Sequence, residues 1–441
     1  MATSNFPFQV TEHTIEGQHI REYPRATATE DAPLKLLIKK YTPLDNLNPQ
    51  PGDITLIGFH GTGFPKELYE PLWEEILARS KQDEFRIRAI WMADSAHQNA
   101  SGVYNEQNLG NSPSWLDHSR DVLHMINHFR DEMPRPLMGF GHSLGGVQAI
   151  FLSLMHPRLF TSLILTEPHI TDEDKGQRKD LLLMTIKAKD KWNSRAEAAA
   201  KARKMLRIWD PRVLDRWEKY GLRDLPTAIY PESKTTNGEP AVTQTTTKHQ
   251  TALMYYRENL KRHKHLGLPD EEDENETYGP SPAHDPLFVP DMLGPLYREQ
   301  RHYRAEPLLA AQLLPYLRPS VFYLSAAKSE LTLTGLQEWA AKRTGTGFGG
   351  SGGMQSGKVK HVVIEKAFHT LPLEKVAKTA SEMGPWMAQE SRRWKDDEKR
   401  IADGWEGLSV KEKSTLPHEW VNALVEASSA IEARAKRESK I

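Results

Sequence analysis

Cysteine is missing from all 441 residues. Its absence excludes disulfides, a thiolate nucleophile and thiolate metal ligands, and it fits a reducing compartment. Apolar runs are short as well. None approaches the roughly 18 residues of a membrane-spanning helix. Net charge is almost absent, since 58 Lys and Arg against 59 Asp and Glu leave −1. A balance of that kind gives nucleic acid or an anionic bilayer no electrostatic footprint, so no nucleic-acid partner is expected. The stretch Met1–Phe8 lacks the basic and apolar regions of a signal peptide, and the sequons at Asn99 and Asn275 are therefore read as chance matches. What is present, 38% hydrophobic residues and a mean hydropathy of −0.62, describes a soluble globular chain. Its length suits one large core with an insertion, or two domains.

Residues 11–23 and 34–41 alternate in polarity and predict two early strands. Pro51-Gly52 punctuates, and Asp53–Phe59 predicts a buried strand, followed by a helix over 68–80 and a strand over 85–93. The Gly/Asn/Ser-rich stretch 95–113 predicts a loop. Trp115, Val122, Leu123, Ile126 and Phe129 then form the stripe of an amphipathic helix over 114–131. Strands are expected again at 160–166, 320–324 and 359–364. Strands alternating with helices predict an α/β fold with a doubly wound, mostly parallel sheet. The expected organisation is a first core part over 1–168, an inserted and mainly helical cap over 169–315, a second core part over 316–388, and a charged helical extension over 389–441.

Two patterns in the chain look like ligand sites and are not read as such. The acidic run Glu271–Glu276 lacks the spaced ligands and central glycine of a calcium loop, and predicts a solvated loop. Gly345–Gly350 satisfies G-x-G-x-x-G, but a dinucleotide fingerprint follows a strand and opens a helix. Here the order is a helix over 334–343 first and a strand at 359 afterwards. No cofactor and no metal are expected.

The chemistry centres on Gly141-His142-Ser143-Leu144-Gly145, which lies between an apolar run at 135–140 and the helix-patterned stretch 146–155. G-x-S-x-G between strand and helix is a nucleophile elbow, in which glycines permit a sharp turn and the serine hydroxyl is left exposed. Serine needs a base, and the base an orienting acid, in the chain order Ser, acid, His. His302 falls in the expected cap and His361 begins a strand. His369 lies in a loop just past the last strand, where ligands meet open α/β sheets, and is the candidate base. Two positions suit the acid. Glu167, at the end of the strand after the elbow and stopped by Pro168, is preferred; Glu330, after the post-cap strand and close to Lys328, is the alternative. Two backbone N–H donors are needed for a tetrahedral oxyanion. Leu144 is expected to supply one, and the His60-Gly61-Thr62-Gly63 loop the other, through Thr62 or alternatively Gly63.

On these residues the chain resembles the α/β-hydrolase superfamily over roughly 10–390. The segment His60–Trp73, the elbow, Leu165-Thr166-Glu167-Pro168 and the terminal Ser439-Lys440-Ile441 are similar to hydrolases of fungal host-selective toxin clusters of the AK/AF type. The resemblance implies a serine hydrolase cleaving an ester or thioester of a fatty-acyl or polyketide-derived intermediate through an acyl-enzyme. An acyltransferase using the same acyl-enzyme and a catalytically idle binding protein are the alternatives. The tripeptide Ser439-Lys440-Ile441 is close to the Ser-Lys-Leu address, so the peroxisomal import receptor is the expected partner and the peroxisomal matrix the expected location.

Overall fold

The computed structural model describes residues 6–171, 179–232, 235–236, 238–258 and 302–438. The acidic run at 271–276, the sequon at Asn275 and the terminal tripeptide lie outside these residues.

The main sheet has eight strands: β1 (Phe8–Glu16), β2 (Lys35–Pro43), β3 (Ile54–Phe59), β4 (Ile87–Ala93), β5 (Leu137–His142), β6 (Phe160–Thr166), β7 (Ser320–Ala326) and β8 (Val359–Ile364). Their spatial order is β1-β2-β4-β3-β5-β6-β7-β8. The hairpin β1-β2 pairs antiparallel and joins β4 antiparallel, and every pairing from β4 to β8 is parallel. β3, β5 and β7 are buried at every residue, as apolar strands covered on both faces must be.

Side-chain alternation divides this sheet between two cores. Ile57, Phe59, Leu163, Leu165, Val321 and Tyr323 face one cluster with helices α3 (Trp115–His128) and α4 (Leu144–Met155). Ile54, Leu56, Ile164, Phe322 and Leu324 face the other, with α1 (Glu70–Gln82) and the helix Val376–Ala402. The period of two along each strand thus explains helices on both faces.

Among the described residues between 179 and 258, no strand joins the main sheet. The segment contains the helices Lys179–Lys187, Arg195–Met205, Pro211–Tyr220 and Lys248–Tyr255, and a small sheet of Lys191–Trp192, Val242–Gln244 and Leu222–Asp224. The next described helix, Glu306–Leu313, contributes Ala310 and Ala311 to the cluster that holds α4. Two compact units are present, residues 1–391 and 392–441. The second contains the helices Val410–Ser414, opened by a Ser409–Glu412 capping box, and His418–Glu438. Among the described residues no helix is long and apolar enough to cross a membrane.

Two local expectations need correction. The first strand starts at Phe8 and ends at Glu16, because the backbone N–H groups of Gln18 and Glu22 leave the sheet to bond Asp121 and Asp117. The stretch 95–113 is not all loop, since a helix, α2, runs from Asn99 to Tyr104. Asn99 donates its N–H to Thr246 Oγ1 and its side chain to Phe64 O and Asp94 Oδ1. Thr246 and Phe64 are distant in sequence, so local composition carried no sign of the helix. They also leave the Asn99 side chain fully buried rather than available to a glycan.

Candidate active site

The elbow turns as its glycines require. Ser143 has φ 55° and ψ −121°, between the last residue of β5 and the first of α4. A Cβ on Gly141 would lie 2.6 Å from Gly146 Cα, and one on Gly145 would lie 2.3 Å from the Phe59 carbonyl oxygen. Both obstacles are backbone and cannot yield. A non-glycine residue at such a φ costs about 1–3 kcal/mol and persists only where its surroundings fix it. Here the Ser143 N–H donates to Thr166 O at 3.0 Å, and the Ser143 carbonyl accepts from Gly146 and His169.

Three side chains converge from three strand ends. His369, past β8, has Nε2 2.9 Å from Ser143 Oγ and Nδ1 3.1 Å from Glu167 Oε2. Glu167, directly after β6, is fully buried and also has a positive φ, 51°. Its Oε1 accepts from the Ala326 N–H at 2.7 Å and the Thr332 hydroxyl at 3.3 Å. The two carboxylate oxygens therefore divide the work, one held by the β7 end and one left for histidine. Glu330, by contrast, is exposed in the first turn of the short helix Glu330–Leu333. His361 lies within β8 and bonds Ser325 Oγ at 2.9 Å.

The candidate oxyanion donors lie on the other side of Ser143. Leu144 is the first residue of α4, where helical N–H groups have no partner in the helix itself. In the loop after β3, the Gly61 N–H donates to Tyr69 Oη at 2.8 Å and the Gly63 N–H to Gln98 Oε1 at 2.9 Å. Thr62, between them, has a backbone N–H with no acceptor among the described residues. Of the two residues expected from this loop, the Gly63 N–H has an acceptor and the Thr62 N–H has none among the described residues.

Several residues that shape the site escaped sequence reasoning. His60 accepts the Ser95 N–H at Nε2, so its Nδ1–H donates to the Gly61 carbonyl at 2.8 Å. His142 is fully buried, stacks on Phe64, and burial lowers its pKa to about 3. Behind the loop, Lys66 Nζ lies 2.6 Å from Asp94 Oδ2 and 3.3 Å from Glu67 Oε1. Burial alone would lower the Lys66 pKa, but Asp94 and Glu67 raise it above the ordinary lysine value. The inserted segment reaches the site at two points. Trp209 Nε1 donates to Thr370 Oγ1 at 3.0 Å, beside His369, and a Cβ on Gly63 would lie 3.4 Å from Thr251 Oγ1.

Comparison with known proteins agrees with this architecture. The family model described as serine aminopeptidase, S33 (Hydrolase_4) matches residues 101–223, which include the elbow. The type I acyl-CoA thioesterase mpaH of Penicillium brevicompactum is 39% identical over 419 residues, covering 91% of this chain and 92% of that protein. The chain belongs to the α/β-hydrolase family. The abhydrolase domain-containing protein AFT2-1 of Alternaria alternata is 22% identical over 66% of this hydrolase and 98% of its own length. The solved structure of the peroxisomal alpha-beta-hydrolase Lpx1 from Saccharomyces cerevisiae has the same fold, with TM-score 0.62 at 16% identity over 91% of this hydrolase and 99% of Lpx1.

Proposed function

We propose that this α/β-hydrolase is a serine thioesterase that releases a fatty or polyketide-derived acid from its acyl-CoA. The observation that carries the reading is the continuous contact from Glu167 Oε2 through His369 to Ser143 Oγ, at 3.1 and 2.9 Å. The mpaH relative, named an acyl-CoA thioesterase, supports the thioester as substrate. A serine at the elbow favours acyl chemistry over the alkyl-enzyme chemistry that a carboxylate there would perform.

In this reading His369 Nε2 takes the Ser143 proton as Oγ attacks the thioester carbonyl. The oxyanion accepts from the Leu144 and Thr62 N–H groups. Collapse expels the thiolate, which His369 protonates, and leaves an acyl ester on Ser143. Water, deprotonated by His369, then attacks that ester, and His369 returns the proton to Ser143 Oγ as the acid leaves. Glu167 keeps Nδ1 protonated and stabilises the imidazolium that forms twice per turnover. Residues 169–315 act as the cap that receives the acyl chain, with Trp209 and Thr251 beside the reacting groups. The peroxisomal matrix is the proposed location, in keeping with the relative named peroxisomal Lpx1.

The deciding experiment measures hydrolysis of acyl-CoA and of p-nitrophenyl esters of graded chain length, by the wild type and Ser143→Ala. Loss of turnover and of fluorophosphonate labelling with the serine is the expected result. Activity retained by Ser143→Ala would refute the acyl-enzyme.

A further inference from the structure

The residue before the elbow serine, His142, is fully buried and enters a network of hydrogen bonds. Its Nε2 lies 3.0 Å from the backbone carbonyl of His369. A carbonyl only accepts, so Nε2 carries a proton. Burial holds this imidazole neutral, with a pKa near 3, so Nδ1 is bare and must accept. The Tyr69 hydroxyl stands 2.8 Å from that Nδ1 and therefore donates to it. Its own lone pair receives the Gly61 N–H at 2.8 Å. Every donor and acceptor is thus assigned, and the direction is single: Gly61 N–H to Tyr69 Oη, Tyr69 O–H to His142 Nδ1, His142 Nε2–H to His369 O. Tyr69 and His142 are both fully buried, which keeps water from the two links at the Tyr69 hydroxyl, while the link at His369 is part-buried.

Resting on the triad reading above, we propose that Tyr69 and His142 are positioning residues that tie the oxyanion loop to the base loop through this one-way chain. The chain grips the His60–Gly61 peptide, one peptide ahead of the Thr62 N–H, at one end and the backbone of His369 at the other. Neither residue touches the substrate. They hold the two halves of the machinery, donor and base, at a fixed separation across the elbow. Gln98 completes the arrangement by occupying the Gly63 N–H, so the Thr62 donor stands between two clamped neighbours.

The test combines a spectroscopic and a kinetic readout on the full chain. In 15N-histidine NMR spectra, with His142 assigned from its absence in His142→Gln, the wild type is expected to show a bare Nδ1 and a protonated Nε2. A protonated Nδ1 would overturn the chain without any variant having to turn over. Tyr69→Phe and His142→Gln are each expected to lower kcat about ten- to a hundredfold, the cost of slightly misplaced catalytic groups, with KM little changed. The double variant should be no slower than the worse single, because both break one chain. Losses that multiply, or singles with wild-type kcat, would refute the proposal. Ser143→Ala measured alongside separates this outcome from failure of the acyl-enzyme reading, which only that variant tests.

Discussion

The strands that carry the chemistry and the segment inserted between them are built on opposite terms. β3, β5 and β7 are buried at every position, and Ser143 and Glu167, at the ends of β5 and β6, are held by several bonds each. The inserted helices leave apolar side chains in solvent. Leu183 and Met184 are 53% and 66% exposed, and Met205 on the next helix is 69% exposed. A core that has used up its apolar surface can hold a strained serine and a strained glutamate. A segment with apolar surface to spare suits an acyl chain, and in the proposed function catalysis belongs to the first and chain selection to the second.

The largest expected effect lies in the core. Ser143→Ala should reduce kcat on the order of a millionfold, as removal of other serine nucleophiles does. Glu167→Gln comes next, with a loss of about 10⁴ from the wrong histidine tautomer, measured against acyl-CoA. Glu330→Gln should leave kcat unchanged, and the reverse ranking would exchange the roles of the two carboxylates.

Stability should follow pH through the buried histidines. His142 and His97 have pKa values lowered from 6.5 to about 3 by burial, so the unfolded chain binds more protons than the native one between those limits. Their contribution is complete above pH 6.5 and is lost as pH falls toward 3. Asp117, raised by burial from 3.8 to about 6, acts in the opposite sense over a narrower window. His13, His60, His118 and His361, also lowered by burial, act with the two histidines, and Glu70 and Glu74, raised by burial, act with Asp117. The histidines outnumber the carboxylates and give a net loss of stability on acidification from pH 6.5 to 4, checked by urea unfolding at several pH values. A flat profile would show that the core is less dry than its packing indicates.

The smallest effect belongs to the insertion. Leu183→Ser with Met184→Ser should change stability by less than about 0.5 kcal/mol, as exposed substitutions do. It should raise KM several-fold for long acyl chains, at about 0.8 kcal/mol for each methylene left in water, and leave acetyl substrates unaffected. An equal change for all chain lengths would break the division of labour between the two regions.

What the sequence revealed follows the same division. Ser143, His369 and Glu167 were legible because each sits where a short apolar run stops, and strand ends are local signals. Leu144 and Thr62 followed from their neighbours in the chain. Tyr69 was hidden because it lies in a short 3-10 helix and meets His142 from 73 positions away. Gln98 was hidden inside a polar stretch whose only regular element, α2, is anchored to Thr246. Side chains that act on distant backbone leave no periodicity to read.

The close approach of Gly145 to the Phe59 carbonyl has a consequence for how substrates are told apart. The two peptide groups that would receive the thioester oxygen belong to chain segments in direct backbone contact, and neither segment can retreat from the other. The carbonyl of any substrate must then come to the same point in space, whatever acyl group is attached. That point becomes the zero mark of a ruler, and acyl length is measured outward from it by the walls alone.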